Sequence, residues 1–349
     1  MSKYYTTEEA ANFLGVSSAR IRQFILEDRL PSEKSGRDHL IAEAFLEDFA
    51  RCGRKKVGRP HHERWDNASL DNQGIEVFTG DTREVIKTLP DETFRCIVTS
   101  PPYWGVRDYG IDEQIGAEPD LNDYVNALVE IFSEVRRVLK ADGTFWLNIG
   151  NTYTSGGRKW RQEDSKNRGR GMSYRPPTPE GLKKKDLIGV AWMVAMACQM
   201  DGWYLRNDII WHKPNCQPES VKDRLTVSHE YVFLFSKSER YFFNQDAIKE
   251  SFKNGSGLKN KRTVWSINTE PCSDAHFAVF PKSLVRPCIL AGSEEGDLIL
   301  DPFYGSGTVG IVAQELNRKC VGIEINPEYV DIAQKRNAHI QGSLILQES

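Results

Sequence analysis

Four consecutive residues near position 100 have the types and spacing needed to hold an amine. The apolar run FRCIVTS, which is typical of a buried strand, ends with Ser100. Pro101, Pro102 and Tyr103 follow it. Both prolines lack an N–H and have a fixed φ, so their carbonyl groups are expected to point outward as free acceptors. The Ser100 side chain and the Pro101 carbonyl could each accept one N–H of an exocyclic amine. Tyr103 would offer a flat face to a ring, so the segment predicts a pocket for a nucleobase.

A glycine-rich turn at 301–308 is the second candidate segment. It reads DPFYGSGT and joins the apolar run LILDPF to the helical pattern VGIVAQEL. Glycines at such a turn let the backbone approach a ligand closely. Glu324 closes the next apolar run seventeen residues after Gly307, where an acid can accept both ribose hydroxyls of an adenosine. A nicotinamide or flavin nucleotide would use a similar turn, but the G-x-G-x-x-G pattern of those sites is absent.

Strand and helix patterns alternate from residue 75 onward. The predicted strands are IEVFTG, FRCIVTS, GTFWLNIG, WYLRNDIIWH, YVFLFSK, LILDPF and CVGIEI. The predicted helices between them include DTREVIKTL, YVNALVEIFSEVRRVL and LIGVAWMVAMACQM. This alternation predicts an α/β fold with a mainly parallel sheet covered by helices on both faces. Because ligands of open α/β sheets bind at the carboxyl ends of the strands, the two candidate turns are expected to meet there.

Taken in order, these motifs resemble those of the β-class DNA amino-methyltransferases. That family has a catalytic motif (D/N/S)-P-P-(Y/F) followed by the cofactor motif D-P-F-x-G-S-G-T, as SPPY and DPFYGSGT occur here. Gly80-Asp81, IIWHKPN at 209–215 and HFAVFPKSLV at 276–285 resemble further family segments, and the similarity covers residues 75–335. The resemblance implies a Rossmann-like class I methyltransferase fold, circularly permuted, with S-adenosylmethionine as cofactor and a target base flipped out of DNA.

The resemblance also implies roles for individual residues. The expected catalytic residues are Ser100, Pro101, Pro102 and Tyr103. The expected cofactor-binding residues are Asp81, Phe277, Pro281, Asp301, Phe303, Gly305, Ser306, Gly307, Thr308 and Glu324. No metal ligand is implied. Asp81 can also cap the helix DTREVIKTL. A turn packed on the core is the alternative for the segment around Phe277.

The choice of target atom depends on the residue before Pro-Pro-Tyr. A serine in that position usually accompanies cytosine-N4 chemistry in such families, so cytosine N4 is favoured and adenine N6 is the alternative. Methylation at carbon 5 of cytosine would need a cysteine nucleophile, but Cys272 and Cys288 lack a Pro-Pro-Cys setting after a strand. An RNA methyltransferase and a DNA-binding regulator with an inactive methyltransferase body remain further alternatives.

Residues 1–56 are predicted to form a separate winged helix-turn-helix domain. Thr6 and Glu9 make a capping-box pattern at the start of one helix, and Ser17 can cap a second. LPSEKSGRDHLI then indicates a small wing or hairpin, and AEAFLEDFAR a third helix. The pattern resembles the modules of excisionase and MerR-type proteins. It implies DNA binding, with protein docking or dimerisation as the alternative.

The rest of the chain is expected to comprise a linker at 57–74 and a catalytic domain at 75–349. Target-recognition insertions are expected near 154–186 and 214–270. The net charge is -3, but residues 158–185 hold ten basic and three acidic residues. Such a local excess predicts a surface that faces phosphate, with a solvated loop as the alternative.

The same composition predicts where the protein works and with what. Seven cysteines without a C-x-x-C pair indicate free thiols in a reducing compartment. No apolar signal core or membrane-spanning run is present in this sequence. We therefore expect a cytoplasmic, DNA-associated protein of bacterial, archaeal or phage origin, without membrane contact. Double-stranded DNA is the expected partner, and a cognate restriction endonuclease and a homodimer are further candidates.

Overall fold

The structure is a computed structural model that describes residues 3–14, 21, 25, 30–35, 38–47, 74–109, 111, 114–155, 160, 172, 174–252, 255, 257–270 and 280–345 of the 349-residue chain. By its internal contacts the chain divides into two units, Met1–Arg64 and Trp65–Ser349. The predicted linker, apart from Gly74, and most of the second N-terminal helix lie outside the described residues.

The first unit contains a small antiparallel sheet, a helix and a helical segment at 43–47, which lies within the predicted third helix. Its elements are β1 (Tyr4–Thr6), α1 (Thr7–Leu14), β2 (Glu33–Ser35) and β3 (Asp38–Ala42), with the strand order β1-β3-β2. The predicted capping box is confirmed, because the Thr6 N–H donates to the Glu9 carboxylate at 2.8 Å and the Glu9 N–H donates to Thr6 Oγ1 at 3.3 Å. The predicted hairpin is also confirmed as β2 and β3. Strand β1 was not predicted, because three residues are too few for a periodic signal.

Twelve of the described strands belong to the second unit. They are β4 (Ile75–Thr79), β5 (Phe94–Thr99), β6 (Leu139–Ile149), β7 (Thr152–Tyr153), β8 (Leu187–Ile188), β9 (Tyr204–His212), β10 (His229–Ser236), β11 (Glu250–Ser251), β12 (Leu258–Lys259), β13 (Val264–Ser266), β14 (Leu298–Asp301) and β15 (Lys319–Glu324). Eight of them form one sheet in the order β13-β9-β10-β6-β5-β14-β15-β4. Only β10 runs antiparallel to its neighbours in this described sheet, so the predicted mixed, mostly parallel sheet is confirmed.

Helices cover both faces of this sheet. They are α2 (Thr82–Thr88), α3 (Leu121–Val138), α4 (Val190–Met200), α5 (Lys282–Gly292), α6 (Thr308–Glu315) and α7 (Pro327–Ile345). Buried residues of α2, α3 and α4 form one core cluster with the sheet, and those of α5, α6 and α7 form another on the opposite face. Among the helices of the described residues, none is long and apolar enough to cross a membrane.

Strand β5 shows why its sequence is apolar at nearly every position. Ile97 packs into the cluster beneath α3, while Cys96 and Val98 pack on the other face beneath α5 and α6. Successive side chains of a strand point to opposite faces, so a strand covered on both sides is apolar throughout.

The order of the strands differs from their order along the chain. Strands β4, β5 and β6 come early in the sequence. Strands β14 and β15 come late in the sequence but lie between β4 and β5 in the sheet. Leu300 of β14 lies opposite Ile97 of β5 in a parallel register. The two candidate turns therefore leave neighbouring strands at the same edge of the sheet, as predicted.

The secondary structure predicted from the sequence differs from the structure at two places. Leu187 and Ile188, predicted as the first turn of a helix, instead pair with β7, and α4 begins after Gly189. Helix α7 was not predicted, although the Asn326 side chain marks its start by accepting the Glu328 N–H at 2.9 Å.

Tyr304 packs the glycine turn against the core. The Tyr304 N–H donates to the Ile323 carbonyl at 2.9 Å, and the side chain is 2% exposed. Its ring lies against Gly310 of α6 and Gly322 of β15, where a Cβ atom would overlap the tyrosine hydroxyl and ring respectively. Glycine is therefore required at both positions by close packing.

We predict that Gly310→Ala destabilises the protein. Alanine gains about 0.5–1 kcal/mol of helix propensity, but its methyl group meets the Tyr304 hydroxyl, and overpacking of this kind costs about 1–3 kcal/mol. Tyr304→Phe in the Gly310→Ala background should recover part of the loss, because the nearest remaining ring atom, Cζ, is then 3.0 Å away. The measurement is the free energy of unfolding in denaturant. Gly189→Ala, where no atom lies within 4 Å of the Cβ position, shows the cost of an alanine without overpacking, although it replaces the N-cap of α4 and can itself cost about 1 kcal/mol. No recovery of stability by Tyr304→Phe in the Gly310→Ala background would contradict the prediction.

Candidate active site

A hydrogen bond joins the two candidate turns. The Thr99 hydroxyl, at the end of β5, donates to Asp301 Oδ1 at 2.6 Å, and the Phe303 N–H donates to the same oxygen at 3.0 Å. Asp301 is buried, with 1% of its surface exposed. The contact holds the carboxyl ends of β5 and β14 together and fixes the first residues of the glycine turn.

The glycine turn wraps around the Glu324 carboxylate. Gly305 N–H donates to Glu324 Oε2 at 2.7 Å, and Asn326 N–H donates to Oε1 at 2.8 Å. Gly307 has a φ of +82°, a left-handed conformation that favours glycine, and α6 begins immediately after it. Each carboxylate oxygen keeps a second lone pair, so Glu324 can still accept a ligand hydroxyl.

Burial makes both acids of this turn weaker than usual. It raises the pKa of the Asp301 carboxyl to about 7, while hydrogen bonds from Thr99 and Phe303 oppose the rise. Burial also raises the pKa of Glu324. Neither carboxylate has an ion-pair partner among the described residues. A cation bound beside them would therefore be favoured electrostatically.

Two hydroxyls of the turn have different surroundings. Arg336 of α7 donates to both the carbonyl and the hydroxyl oxygen of Ser306 at 2.6 Å each. The Thr308 hydroxyl is buried and has no hydrogen-bond partner in the described part of the chain. Unpartnered buried hydroxyls are uncommon in folded proteins, so Thr308 is suited to receive a polar group of a ligand.

Asp81 lies at the end of the neighbouring edge strand. It caps α2 by accepting the Arg83 N–H at 2.8 Å and forms an ion pair with Arg83 Nη2 at 2.5 Å. Although burial opposes ionisation, these contacts with Arg83 lower the pKa of Asp81. The Gly80 N–H donates to the Glu324 carbonyl at 2.8 Å, which places the Asp81 turn beside the glycine turn. The capping role of Asp81 is therefore what the contacts show.

The Pro-Pro segment differs from the prediction in one respect. The Pro102 carbonyl accepts a hydrogen bond from the Tyr124 hydroxyl at 2.8 Å, so the expectation that both proline carbonyls are free acceptors is wrong. Tyr124 is a core residue of α3, which explains why its hydroxyl needs this partner. The Pro101 carbonyl has no donor among the described residues. Trp104 is 4% exposed and donates to the Glu118 carbonyl at 2.9 Å, as expected of a packing residue.

Tyr103 is held by charged and polar residues, of which the sequence analysis had indicated only the segment that contains Lys213, IIWHKPN at 209–215. Its hydroxyl donates to Glu230 Oε2 at 2.9 Å, and Lys213 forms an ion pair with the other oxygen of Glu230. Asn148 donates to the same carboxylate at 3.4 Å. Gly150 leaves room for this arrangement, because a Cβ there would lie 3.0 Å from both Tyr103 Cε2 and Glu230 Cγ. Burial, with Glu230 nearby, raises the pKa of Tyr103 well above its ordinary value.

The remaining candidate residues lie in or near α5. Pro281 is buried and is the residue before the first turn of α5, whereas Phe277, His276 and Cys272 lie outside the described residues. Cys288 is buried within α5, and its thiol donates to the Leu284 carbonyl at 3.3 Å. Burial raises the pKa of this thiol well above its ordinary value, so Cys288 is unsuited to act as a nucleophile.

Comparison with known proteins agrees with this geometry. A profile of the DNA methylase family matches residues 94–335, which is most of the chain. The chain belongs to this family. A helix-turn-helix domain profile matches residues 4–52 of this DNA methylase. The predicted family and the predicted type of N-terminal domain are therefore confirmed.

Two relatives of this DNA methylase are bacterial type II methyltransferases. M.SmaI of Serratia marcescens is 62% identical over 76% of this chain and 91% of its own length. M.Cfr9I of Citrobacter freundii is 58% identical over 76% of this chain and 89% of its own length.

Solved structures confirm the fold of this DNA methylase. The PvuII DNA methyltransferase (cytosine-N4-specific) has a TM-score of 0.57 and 22% identity, covering 75% of this chain and 87% of that one. A putative DNA modification methylase of Thermus thermophilus, solved with S-adenosyl-L-methionine, has a TM-score of 0.53 and 24% identity, covering 76% of this chain and 93% of that one.

We predict that Asp301→Asn changes how stability depends on pH. The folded-state pKa of about 7 lies above the ordinary value, so the folded protein binds the proton more tightly than the unfolded chain does. The stability contributed by Asp301 is therefore present at low pH and lost as pH rises toward and through about 7. Asparagine is neutral and keeps the Oδ1 acceptor for Thr99. The melting temperature of the variant should rise relative to wild type between about pH 4 and about pH 7, and the difference should stay constant above that. Glu295→Gln, at an exposed site, is the control; a difference that is constant over the lower interval as well would contradict the prediction.

We predict that Glu230→Ala slows methyl transfer while leaving cofactor affinity unchanged. The substitution removes the partner of Tyr103 and of Lys213 but touches no residue of the glycine turn. An unpaired buried polar group costs about 1–3 kcal/mol, equivalent to a loss of about fivefold to about 150-fold in kcat/KM for DNA. The measurements are single-turnover methylation and equilibrium binding of S-adenosylmethionine. Glu239→Ala, an exposed acid after the other end of β10, is the control; a parallel loss of cofactor affinity would show that Glu230 does not act on Tyr103.

Proposed function

We propose that this DNA methylase transfers a methyl group from S-adenosylmethionine to the exocyclic N4 amine of a cytosine flipped out of double-stranded DNA. The observation that carries the proposal is the hydrogen bond between Thr99 and Asp301. It brings the amine-accepting segment and the glycine turn to one edge of the sheet. An amine held by the first can therefore face a methyl donor held by the second.

The glycine turn fits this cofactor in charge and in shape. Two buried carboxylates favour a positively charged ligand, and Thr308 offers a buried hydroxyl for one of its polar groups. Gly305 and Gly307 let the backbone pass close to it. When bound, S-adenosylmethionine supplies a methyl group on a positively charged sulfur. The residues proposed to hold it are Asp81, Phe277, Pro281, Asp301, Phe303, Gly305, Ser306, Gly307, Thr308 and Glu324.

The Pro-Pro segment would orient the attacking nitrogen. The Ser100 hydroxyl oxygen and the Pro101 carbonyl each accept one N–H of the target amine, so that the nitrogen lone pair is directed at the methyl group. Tyr103, fixed by Glu230, stacks on the base. Alignment of this kind can contribute about 7–11 kcal/mol to lowering the barrier. The proton leaves to solvent, directly or by relay through the Ser100 hydroxyl, and no protein nucleophile is needed.

Cytosine N4 is favoured over adenine N6 by Ser100, the residue before Pro-Pro-Tyr. The description of the PvuII enzyme as cytosine-N4-specific supports this choice. Adenine N6 is the alternative, since both bases carry an amine beside a ring nitrogen. Methylation at carbon 5 is disfavoured for Cys288, whose thiol is buried and weakly acidic. A regulator with an inactive catalytic body is disfavoured because the amine acceptors and the glycine turn are intact.

The other parts of the chain would serve DNA binding. Residues 1–56 would act as an accessory DNA-binding domain joined by the linker 57–74 to the catalytic domain 75–349. The insertions 154–186 and 214–270 would read sequence or contact phosphate. Relatives named as type II methyltransferases favour a place in a restriction-modification system, with a cognate restriction endonuclease as partner.

Base analysis of modified DNA tests the proposed target atom. DNA from a methylation-free host that expresses this chain should contain N4-methylcytosine, detected by mass spectrometry of nucleosides, and long-read sequencing should locate the modified site. Abundant N6-methyladenine with no N4-methylcytosine would overturn the choice of cytosine.

We predict that Ser100→Ala lowers kcat for methyl transfer by about tenfold to hundredfold, because one amine hydrogen loses its acceptor. Ser238→Ala is the matched control. The Ser238 hydroxyl donates to the Ala141 carbonyl at 2.6 Å. Ser238 follows the last residue of β10, whereas Glu230 lies near the first. Full activity of Ser100→Ala would remove the serine from the catalytic set.

A further inference from the structure

A loop rises from the rim of the proposed base pocket. Residues 213–228, called here the rim loop, connect β9 to β10. Its base is closed by a hydrogen bond from the Lys213 N–H to the Ser228 carbonyl at 2.7 Å. Lys213 and Glu230, at and just beyond its two ends, form the ion pair beside Tyr103. The loop therefore starts and finishes where the target base would bind.

Two side chains within the rim loop, the Glu219 carboxylate and the Arg224 guanidinium, bind each other and the loop backbone. This pair is called here the brace. The Glu219 carboxylate accepts hydrogen bonds from Arg224 Nη1 at 2.6 Å and from the Val227 N–H at 3.4 Å. The Arg224 side chain also donates to the Leu225 carbonyl at 3.0 Å and stacks 3.9 Å from the centre of the Tyr153 ring. These contacts hold the backbone around Leu225 in one shape.

The brace presents a leucine to solvent. Leu225 is 89% exposed, more than any other large hydrophobic side chain of the described residues. Single exposed apolar residues are ordinary on protein surfaces. Leu225 differs because it belongs to a braced loop whose ends adjoin the Lys213–Glu230 ion pair beside Tyr103, where a base from a duplex would have to enter.

We propose that Leu225 enters the DNA duplex and fills the gap left by the flipped-out base. The inference rests on the proposed function, since it requires a base to leave the stack. Extrusion leaves a space between two apolar base faces, and proteins that distort DNA commonly place an apolar side chain in such a space. Leu225 would contact the neighbouring bases and slow the return of the target base. The brace of Glu219 and Arg224 would keep the leucine extended before DNA arrives.

The test compares two duplexes that carry the methylation site located by sequencing. One is fully paired, and the other has an abasic position opposite the target base, so that extrusion is already easier. Leu225→Ala should lower kcat/KM on the paired duplex about tenfold and on the abasic duplex less than about threefold. Leu225→Met, which keeps a similar volume, should stay within about threefold of wild type on both. Leu187→Ala is the matched control, because Leu187 is 51% exposed and lies outside the rim loop.

A second readout reports extrusion without methyl transfer. 2-Aminopurine placed at the target position gains fluorescence when it leaves the stack. Wild type and Leu187→Ala should raise this fluorescence on binding, and Leu225→Ala should raise it less. Equal fluorescence for wild type and Leu225→Ala, or equal loss of kcat/KM on both duplexes, would overturn the proposal. A change of oligomeric state in Leu225→Ala by light scattering would assign the leucine to a protein contact and overturn it as well.

The outcomes separate this inference from the proposed function. If wild type methylates adenine N6, the target atom is wrong but the fluorescence and duplex comparisons still test Leu225. If wild type neither transfers methyl groups nor raises fluorescence, both proposals fail together. If wild type is active and Leu225→Ala is indistinguishable from it, only the role of Leu225 fails.

Discussion

The site depends on a single hydrogen bond at the edge of the sheet, from Thr99 to Asp301. Each residue ends a strand, and the turns that follow them carry different chemistry. Because β14 pairs with β5 just before these residues, through Ile299 with Cys96 and Leu300 with Ile97, the bond forms between groups that are already neighbours. Little additional entropy is lost in making it, and the two turns are held in a fixed relation before any ligand binds.

The same place is electrostatically unfavourable in the protein alone. Asp301 and Glu324 are buried, and burial raises the pKa of both carboxyls. Amide N–H groups of Phe303, Gly305 and Asn326 satisfy part of their hydrogen-bonding capacity, but amides supply no positive charge. A cationic ligand would supply that charge. The buried carboxylates thus lower the stability of the free protein and raise its affinity for a positively charged ligand.

The sequence predicted those parts of the structure that depend on a short contiguous pattern of residues. The strand before Ser100, the glycine turn and the capping box at Thr6 each have a short pattern that determines local geometry. Glu230 could not be found in this way, and Lys213 lies in a segment that resembles the family, IIWHKPN, without a pattern that predicts its contact. Glu230 meets Tyr103, and Lys213 meets Glu230, only because β10 pairs antiparallel with both β9 and β6, and no pattern within β10 predicts its partners. The Tyr124 hydroxyl reaches Pro102 from a helix that its own sequence presents simply as amphipathic.

This difference separates the two halves of the proposed pocket. The cofactor half is built mainly from the ends of consecutive strands, β14 and β15, and the helix between them, so its residues lie within one short stretch of sequence. The base half combines the end of β5 with the ends of β6, β9 and β10, which are far apart in the chain. A loop between β9 and β10 can therefore change in length or sequence while the glycine turn keeps its shape. If this loop reads DNA as proposed, recognition of different sites could be varied there, because the pairing of Glu230 with Trp211 of β9 and of Tyr231 with Ile149 of β6 holds Glu230 outside the loop.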